Sequence, residues 1–149
     1  MDADSREEFF VIYFRIPGKA VGKGRPRFTK NGHTFTPDST RDYEDLIRAM
    51  YRVKYKGEPT EEPVSVTINV YTAPAKSLSK KKRAELQLKS PMKKPDLDNV
   101  AKIVLDALNK VAWVDDTQVV SLKVRRMWSN EEYVCVTIFT EDEVWREKE

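Results

Sequence analysis

Residues 93–126 read KKPDLDNVAKIVLDALNKVAWVDDTQVVSLKVRR, and this stretch decides the fold. Val100, Ile103, Val104, Ala107, Leu108 and Val111 recur at i, i+3, i+4, i+7, i+8 and i+11, which is one apolar stripe on a helix. Asp98 or Asn99 is positioned as its N-cap. Beyond the helix, Gln118–Trp128 and Tyr133–Thr140 read as two strands joined by a short polar turn.

Upstream, the period changes twice. Val64–Tyr71 (VSVTINVY) alternates apolar and polar residues, the pattern of a half-buried strand. Between it and residue 93, Ser77 or Ser79 opens a short basic helix reaching about Leu88. Phe9–Ile16 (FFVIYFRI) is a strand ended by Pro17-Gly18. Residues 17–37 hold four glycines and three prolines without helical period, so they form a long loop with a hairpin signal at Asn31-Gly32. Asp38 or Ser39 caps a helix to about Tyr55, with Tyr43, Leu46, Ile47, Met50, Tyr51 and the Lys54 stem on one side. The order β-α-β-(α)-α-β-β predicts an α/β (α+β) fold: a small mixed sheet of about four strands with two to three helices packed on one face. No linker divides the chain, so residues 1–149 form one domain, with a basic loop at 17–37 and an acidic tail from about 141.

Composition removes whole classes. The 149 residues are 40% hydrophobic, enough to close one core. One cysteine, Cys135, excludes an internal disulfide, and with one histidine, His33, a Cys/His zinc site lacks ligands. No apolar run reaches the roughly 20 residues of a membrane helix, and the acidic start is no signal peptide. A cytoplasmic protein without membrane attachment is expected. Cys135, in the V-C-V of the last strand, is expected as core.

The net charge of +3 conceals strong segregation. Phe9–Pro37 carries six cations and no acid: Arg15, Lys19, Lys23, Arg25, Arg27 and Lys30. Lys76–Lys94 carries eight cations, including Lys81, Lys82, Lys93 and Lys94, against Glu85 alone. Such runs either solvate a face or bind a polyanion, and loops this one-sided favour the second. Phosphate contacts of this kind release counterions and carry no sequence choice. Phe28 and Phe35 suit either base contact or a satellite core.

Within this basic frame lie Asp96, Asp98 and Asn99, and a second pair, Asp115-Asp116. An Asp-x-Asp in extended backbone directs both carboxylates to one side, as hard oxygen donors for Mg²⁺ or Mn²⁺. The alternatives are an N-cap at Asp98 and a plain turn at Asp115-Asp116. Asp98, Lys102 and Asp106 fall at i, i+4 and i+8, one polar stripe, with Lys102 leaning toward the N-terminal acids. Lys102 then either pairs with Asp106 or holds a scissile phosphate. Other chemistries fail: His33 has no nucleophile partner, GKAVGKG lacks P-loop spacing, and Pro95-Asp96 has no downstream acid-x-Lys of the restriction-nuclease kind.

The block Lys93–Arg126, with D-L-D-N…K…D-A-L…D-D-x-Q-V, resembles the signature of RusA-type Holliday junction resolvases. The resemblance covers 34 of 149 residues directly, and the element order outside it agrees. It implies a small homodimeric, Mg²⁺-dependent endonuclease that nicks four-way DNA junctions symmetrically in recombination and repair. Position by position, Asp96, Asp98 and Asp116 match the family's metal-binding acids and Lys102 its catalytic lysine; Asp115 and Asp106 also match the motif. The acidic tail after Thr140 and the long basic helix depart from compact members.

One geometric difficulty follows. A helix from Asn99 to Lys110 is about 18 Å long, and Val111–Asp116 extends to about 20 Å at most. The apparent core anchors Val111, Ala112 and Trp113 interrupt a straight return to Asp98. A second subunit that brings its Asp115-Asp116 to the first subunit's Asp96 and Asp98 removes the difficulty. The rival readings are a non-catalytic DNA-binding module and a hydrolase of small phosphates; the second needs a closed pocket that open basic loops do not suggest.

Overall fold

The computed structural model describes residues 11–24, 27, 28, 32, 34, 35 and 38–140. In chain order these form strands β1 (Val11–Pro17), β2 (Arg27–Phe28) and β3 (Thr34–Phe35), helix α1 (Asp38–Lys54), strand β4 (Val64–Thr72), helices α2 (Lys80–Gln87) and α3 (Leu97–Leu108), a 3-10 turn (Asp116–Gln118), and strands β5 (Val119–Trp128) and β6 (Tyr133–Thr140). Phe9, the tail from residue 141, Arg25, Lys30, Asn31 and His33 lie outside the described residues, as do the side chains of Arg27, Phe28 and Phe35.

Four strands make one mixed sheet in the order β1-β6-β4-β5. β6 pairs antiparallel with β1 and β4, while β4 pairs parallel with β5. The register aligns Phe14, Val136, Ile68 and Val124 in one row across the sheet. A parallel pair cannot be joined by a hairpin. The β4–β5 crossover therefore carries α2 and α3, and this crossover is where the carboxylates sit. β2 and β3 form a separate two-stranded ribbon across residues 29–33, in agreement with the hairpin signal.

α1 and α3 pack together on one sheet face, which makes the expected α+β architecture. α1 buries Thr40, Tyr43, Ile47 and Tyr51, and the Tyr51 ring meets Phe14 edge-on at 5.9 Å. α3 buries Val100, Ala101, Ile103, Val104, Ala107 and Leu108, at roughly 1.5–3 kcal/mol for each large side chain. α2 buries nothing and is held by Ser79, whose hydroxyl accepts from the Lys82 amide at 3.2 Å.

Three local expectations change. α1 begins at Asp38, so Asp38 and Ser39 lie inside the helix and do not cap it. α3 begins at Leu97 with Asp96 as N-cap residue, so Asp98 and Asn99 are in its first turn. α3 ends at Leu108: Asn109 turns extended and Lys110 is left-handed (φ 67°), so Val111 lies past the helix. Ala112 and Trp113 remain fully buried, as anchors of the return path.

Candidate active site

Several contacts fix the loop entering α3. The Arg126 guanidinium, on β5, donates to the carbonyls of Lys93 and Pro95, and the Trp128 indole donates to the Lys89 carbonyl at 2.7 Å. From the other side, the Lys23 amide donates to the Asn99 carbonyl at 3.0 Å. Gly22 packs so closely that an added Cβ would stand 2.9 Å from Pro95 Cβ and 3.1 Å from Asn99 Cβ. Burial lowers the Arg126 pKa below the ordinary guanidinium value, and the charge of Asp96 acts in the opposite sense.

The first two acids line different clefts. Asp96 accepts from Lys94 Nζ at 2.9 Å and lines a cleft of about 450 Å³ with Met92, Lys93, Lys94, Leu97 and Arg126. Asp98 lines a separate groove of about 440 Å³. An Asp-x-Asp shares one side only in extended chain; here Asp98 is already helical, and two helical residues rotate about 200°. The extended-backbone argument for a shared side therefore does not apply to this pair, because Asp98 is in the first turn of α3.

The Asp98 groove runs between α3 and β5. Leu97, Ala101, Leu105, Leu122 and Val124 supply its apolar walls, and Asp98, Lys102, Asp106 and Asp116 its charges. The open alternative for Lys102, a pair with Asp106, is taken by another partner: Lys23 Nζ stands 3.2 Å from Asp106 and 3.1 Å from Glu44. Lys102 is exposed toward the groove, one turn from Asp98.

Asp116 reaches this groove from the opposite end. Arg126 holds the N-terminal end of α3, and Val119 begins the same strand seven residues earlier, about 23 Å away. β5 thus runs back along α3, which places Asp116 beside the helix C-terminus. Its Oδ1 accepts from the buried Trp113 indole at 2.8 Å. Asp115 closes a capping box: its side chain accepts from the Thr117 amide at 3.0 Å while Gln118 Oε1 accepts the Asp115 amide at 2.8 Å. The bonds from Thr117 hold the Asp115 carboxyl below its usual pKa. The turn reading is thus correct for Asp115 as local structure.

The donor chemistry fits a hard divalent cation, since all four groups are carboxylates. Their placement in one chain is another matter: among the described residues, no three acids, histidines or cysteines stand close enough to hold a metal ion.

A model of one protein family, Endodeoxyribonuclease RusA, matches residues 17–139. The chain belongs to the RusA endodeoxyribonuclease family. It is also 38% identical over 135 residues to the uncharacterized protein YqaN of Bacillus subtilis (strain 168), covering 85% of this chain and 94% of that protein. The match to the RusA family embraces the loop, both packed helices and three of the four sheet strands, β4, β5 and β6 as far as Phe139, so it extends well beyond the carboxylate block. Membership carries the nuclease role of the family, whose DNA substrate is the Holliday junction.

The cations expected to meet DNA in this RusA-family chain divide by their surroundings. Lys19, Lys81 and Lys82 are exposed. Lys94 is exposed but bonds Asp96, and Lys93 donates to the Ala73 carbonyl at 2.9 Å with Glu132 at 3.9 Å. Lys23 is committed to Glu44 and Asp106, so it braces the loop against α1 and α3. Sequence reasoning missed Arg126 as the clamp on the Asp96 loop. Its signal was available: in Leu122, Val124, Arg126, Trp128, an arginine interrupts an apolar alternation. No helix among the described residues is long and apolar enough to cross a membrane.

Proposed function

We propose that this RusA-family nuclease is a homodimeric, Mg²⁺-dependent Holliday junction resolvase of DNA recombination and repair, acting in the cytoplasm as one unit spanning residues 1–149. The observation that carries the reading is the α3–β5 groove, where Asp98, Lys102 and Asp116 border one open apolar trough. Asp96, Asp98 and Asp116, with Asp115 beside them, are the donors for Mg²⁺, and Mn²⁺ is a chemically equivalent substitute. When bound, the cation supplies positive charge at the phosphoryl oxygens. Lys102 holds a non-bridging oxygen or offsets charge on the leaving oxygen. A carboxylate free of the cation accepts the proton of the attacking water. Lys19, Lys81, Lys82, Lys93 and Lys94, with Arg25, Arg27 and Lys30 of the loop, hold the junction arms through phosphates.

The site is completed by a second copy. Asp98 and Asp116 approach the trough from opposite ends of α3, and among the described residues of one chain no three acids stand close enough to hold an ion. Val120 and Leu122 of the edge strand β5 are exposed, as is Val114 ahead of that strand, and Leu122 lines the groove itself. A two-fold partner that covers this apolar surface antiparallel brings the partner's Asp116 to Asp96 and Asp98.

Gel assays on a four-way junction and a linear duplex of the same sequence, with Mg²⁺ or with chelator, test the function. The expected result is paired symmetric nicks in the junction alone, dependent on Mg²⁺ and lost in Asp98→Asn. Binding without cleavage establishes the DNA-binding module in its place, and hydrolysis confined to nucleotides establishes a small-phosphate hydrolase.

A further inference from the structure

α1 and α3 cover one face of the sheet, and among the described residues the core cluster is drawn from that face alone. β1 shows the division most plainly: Ile12, Phe14 and Ile16 are buried, while Val11, Tyr13 and Arg15 alternate with them on the bare side. The register carries that side across Tyr133 of β6 and Tyr71 of β4 to Lys123 and Arg125 of β5.

Two features separate this face from an ordinary solvated one. The four strands contain no Asp or Glu, so Arg15, Lys123 and Arg125 are unopposed on their own sheet. The aromatic residues are also pre-ordered. The Tyr71 and Tyr133 rings stack at 4.5 Å with 22° between planes, and the Arg15 guanidinium covers Tyr133 at 3.7 Å. Tyr13 spans toward β6 through a 3.0 Å contact between its hydroxyl and Cys135 Sγ, which lays its half-exposed ring (49%) across the sheet. A half-exposed ring anchored at its hydroxyl, on a face that carries exposed cations, offers a base π-surface and phosphate charge at reduced entropic cost. Four-stranded sheets with aromatics on a bare face recur as single-strand platforms.

We infer that this face binds single-stranded nucleic acid, with a base stacked on Tyr13 and the backbone held by Arg15, Lys123 and Arg125. It lies across the sheet from the α3–β5 groove, so it is a second nucleic-acid site and does not depend on the nuclease reading. Its aromatic and basic surface suits an unpaired strand, whose bases are free to stack.

The test is fluorescence anisotropy of the full chain with a labelled single-stranded DNA of about 15 nucleotides, in chelator so that nothing is cut. Tyr13→Phe should bind slightly more weakly than wild type, because the ring is retained while the Cys135 contact that orders it is lost. Tyr13→Ala should bind roughly tenfold more weakly. A variant carrying Arg15→Gln, Lys123→Gln and Arg125→Gln should lower the slope of log affinity against log salt by about 2, at about 0.7 per phosphate contact. Junction cleavage should persist in all of them, whereas Asp98→Asn should lose cleavage and keep single-strand binding. Equal affinity and slope across the ring and charge variants overturns the proposal. So does a change in oligomeric mass of the charge variant with unchanged oligonucleotide binding, which assigns the face to a second copy of this chain. If Tyr13→Ala does not fold, the exposed charge variant decides the matter alone.

Discussion

Mixing Asp98→Asn chains with Asp116→Asn chains should restore part of the junction cleavage that each variant lacks alone. Asp98 to Asp106 is eight residues, about 12 Å along α3, and Asp116 joins the groove near the Asp106 end. Two carboxylates on one Mg²⁺, each at about 2.1 Å, have oxygens no more than about 4 Å apart. One chain therefore presents half a site at each end of the trough. In a two-fold dimer, a mixed pair of variants concentrates both lesions at one centre and leaves the other with an intact Asp98 and an intact partner Asp116. Random exchange makes half the dimers mixed, each with one working centre of two, so the mixture should recover about a quarter of wild-type nicking. Each variant alone should fall at least about 100-fold, the scale of several kcal/mol of lost transition-state stabilisation. The assay is a denaturing gel of an end-labelled junction after co-refolding, scored for single nicks against paired cuts. The mixed dimers should give single nicks. If the mixture cuts no better than the separate variants while remaining dimeric, each chain holds its own complete centre and the argument from α3 fails.

Arg126→Ala removes the two charge-assisted bonds to the Lys93 and Pro95 carbonyls. It should cost about 2 kcal/mol, or roughly 4–8 °C in thermal midpoint, with a further loss of cleavage as the Asp96 loop relaxes. Lys23→Ala should lower thermal stability by the loss of its pairs with Glu44 and Asp106 and change junction affinity little. Paired Lys81→Ala and Lys82→Ala should do the reverse, reducing the salt slope of duplex binding by up to about 1.8 without moving the melting curve. At alkaline pH, the Cys135 hydrogen bond pushes Tyr13 up to about 12, and burial pushes Tyr51 to about 12 from 10.0. Both folded values lie above the unfolded one. Their stabilisation is thus complete below pH 10 and is lost as pH rises toward 12. Tyrosinate absorbance should consequently lag in the folded protein, and denaturant midpoints should fall across that window.

What the chain made legible depended on whether a residue's role is local or assembled. The α3 stripe could be read because Val100, Ile103, Val104, Ala107 and Leu108 face one core in helical register, and each falls where the period puts it. The strands were legible for the same reason, from period-2 burial such as that of β1. The helix start was misplaced because propensity ranks Asp98 and Asn99 as caps, whereas Arg126, 30 residues downstream of Asp96, fixes where the loop ends. A cap residue without a side-chain cap bond, as Asp96 is, leaves no local signal. The partners of Lys23 were hidden for a similar reason. Its place in a glycine-rich basic run suggests phosphate, but the two acids that claim it come from α1 and α3, and only tertiary packing brings them together. The carboxylate spacing was legible as chemistry and not as geometry, since sequence separation says nothing of which end of a helix a returning chain meets. The length of α3 alone sets that answer. With Asp98 in the first turn of a 12-residue helix and Asp116 beyond its C-terminal end, the proposed ion that needs both is one held across a two-fold axis, and on that proposal metal affinity is a property of the dimer.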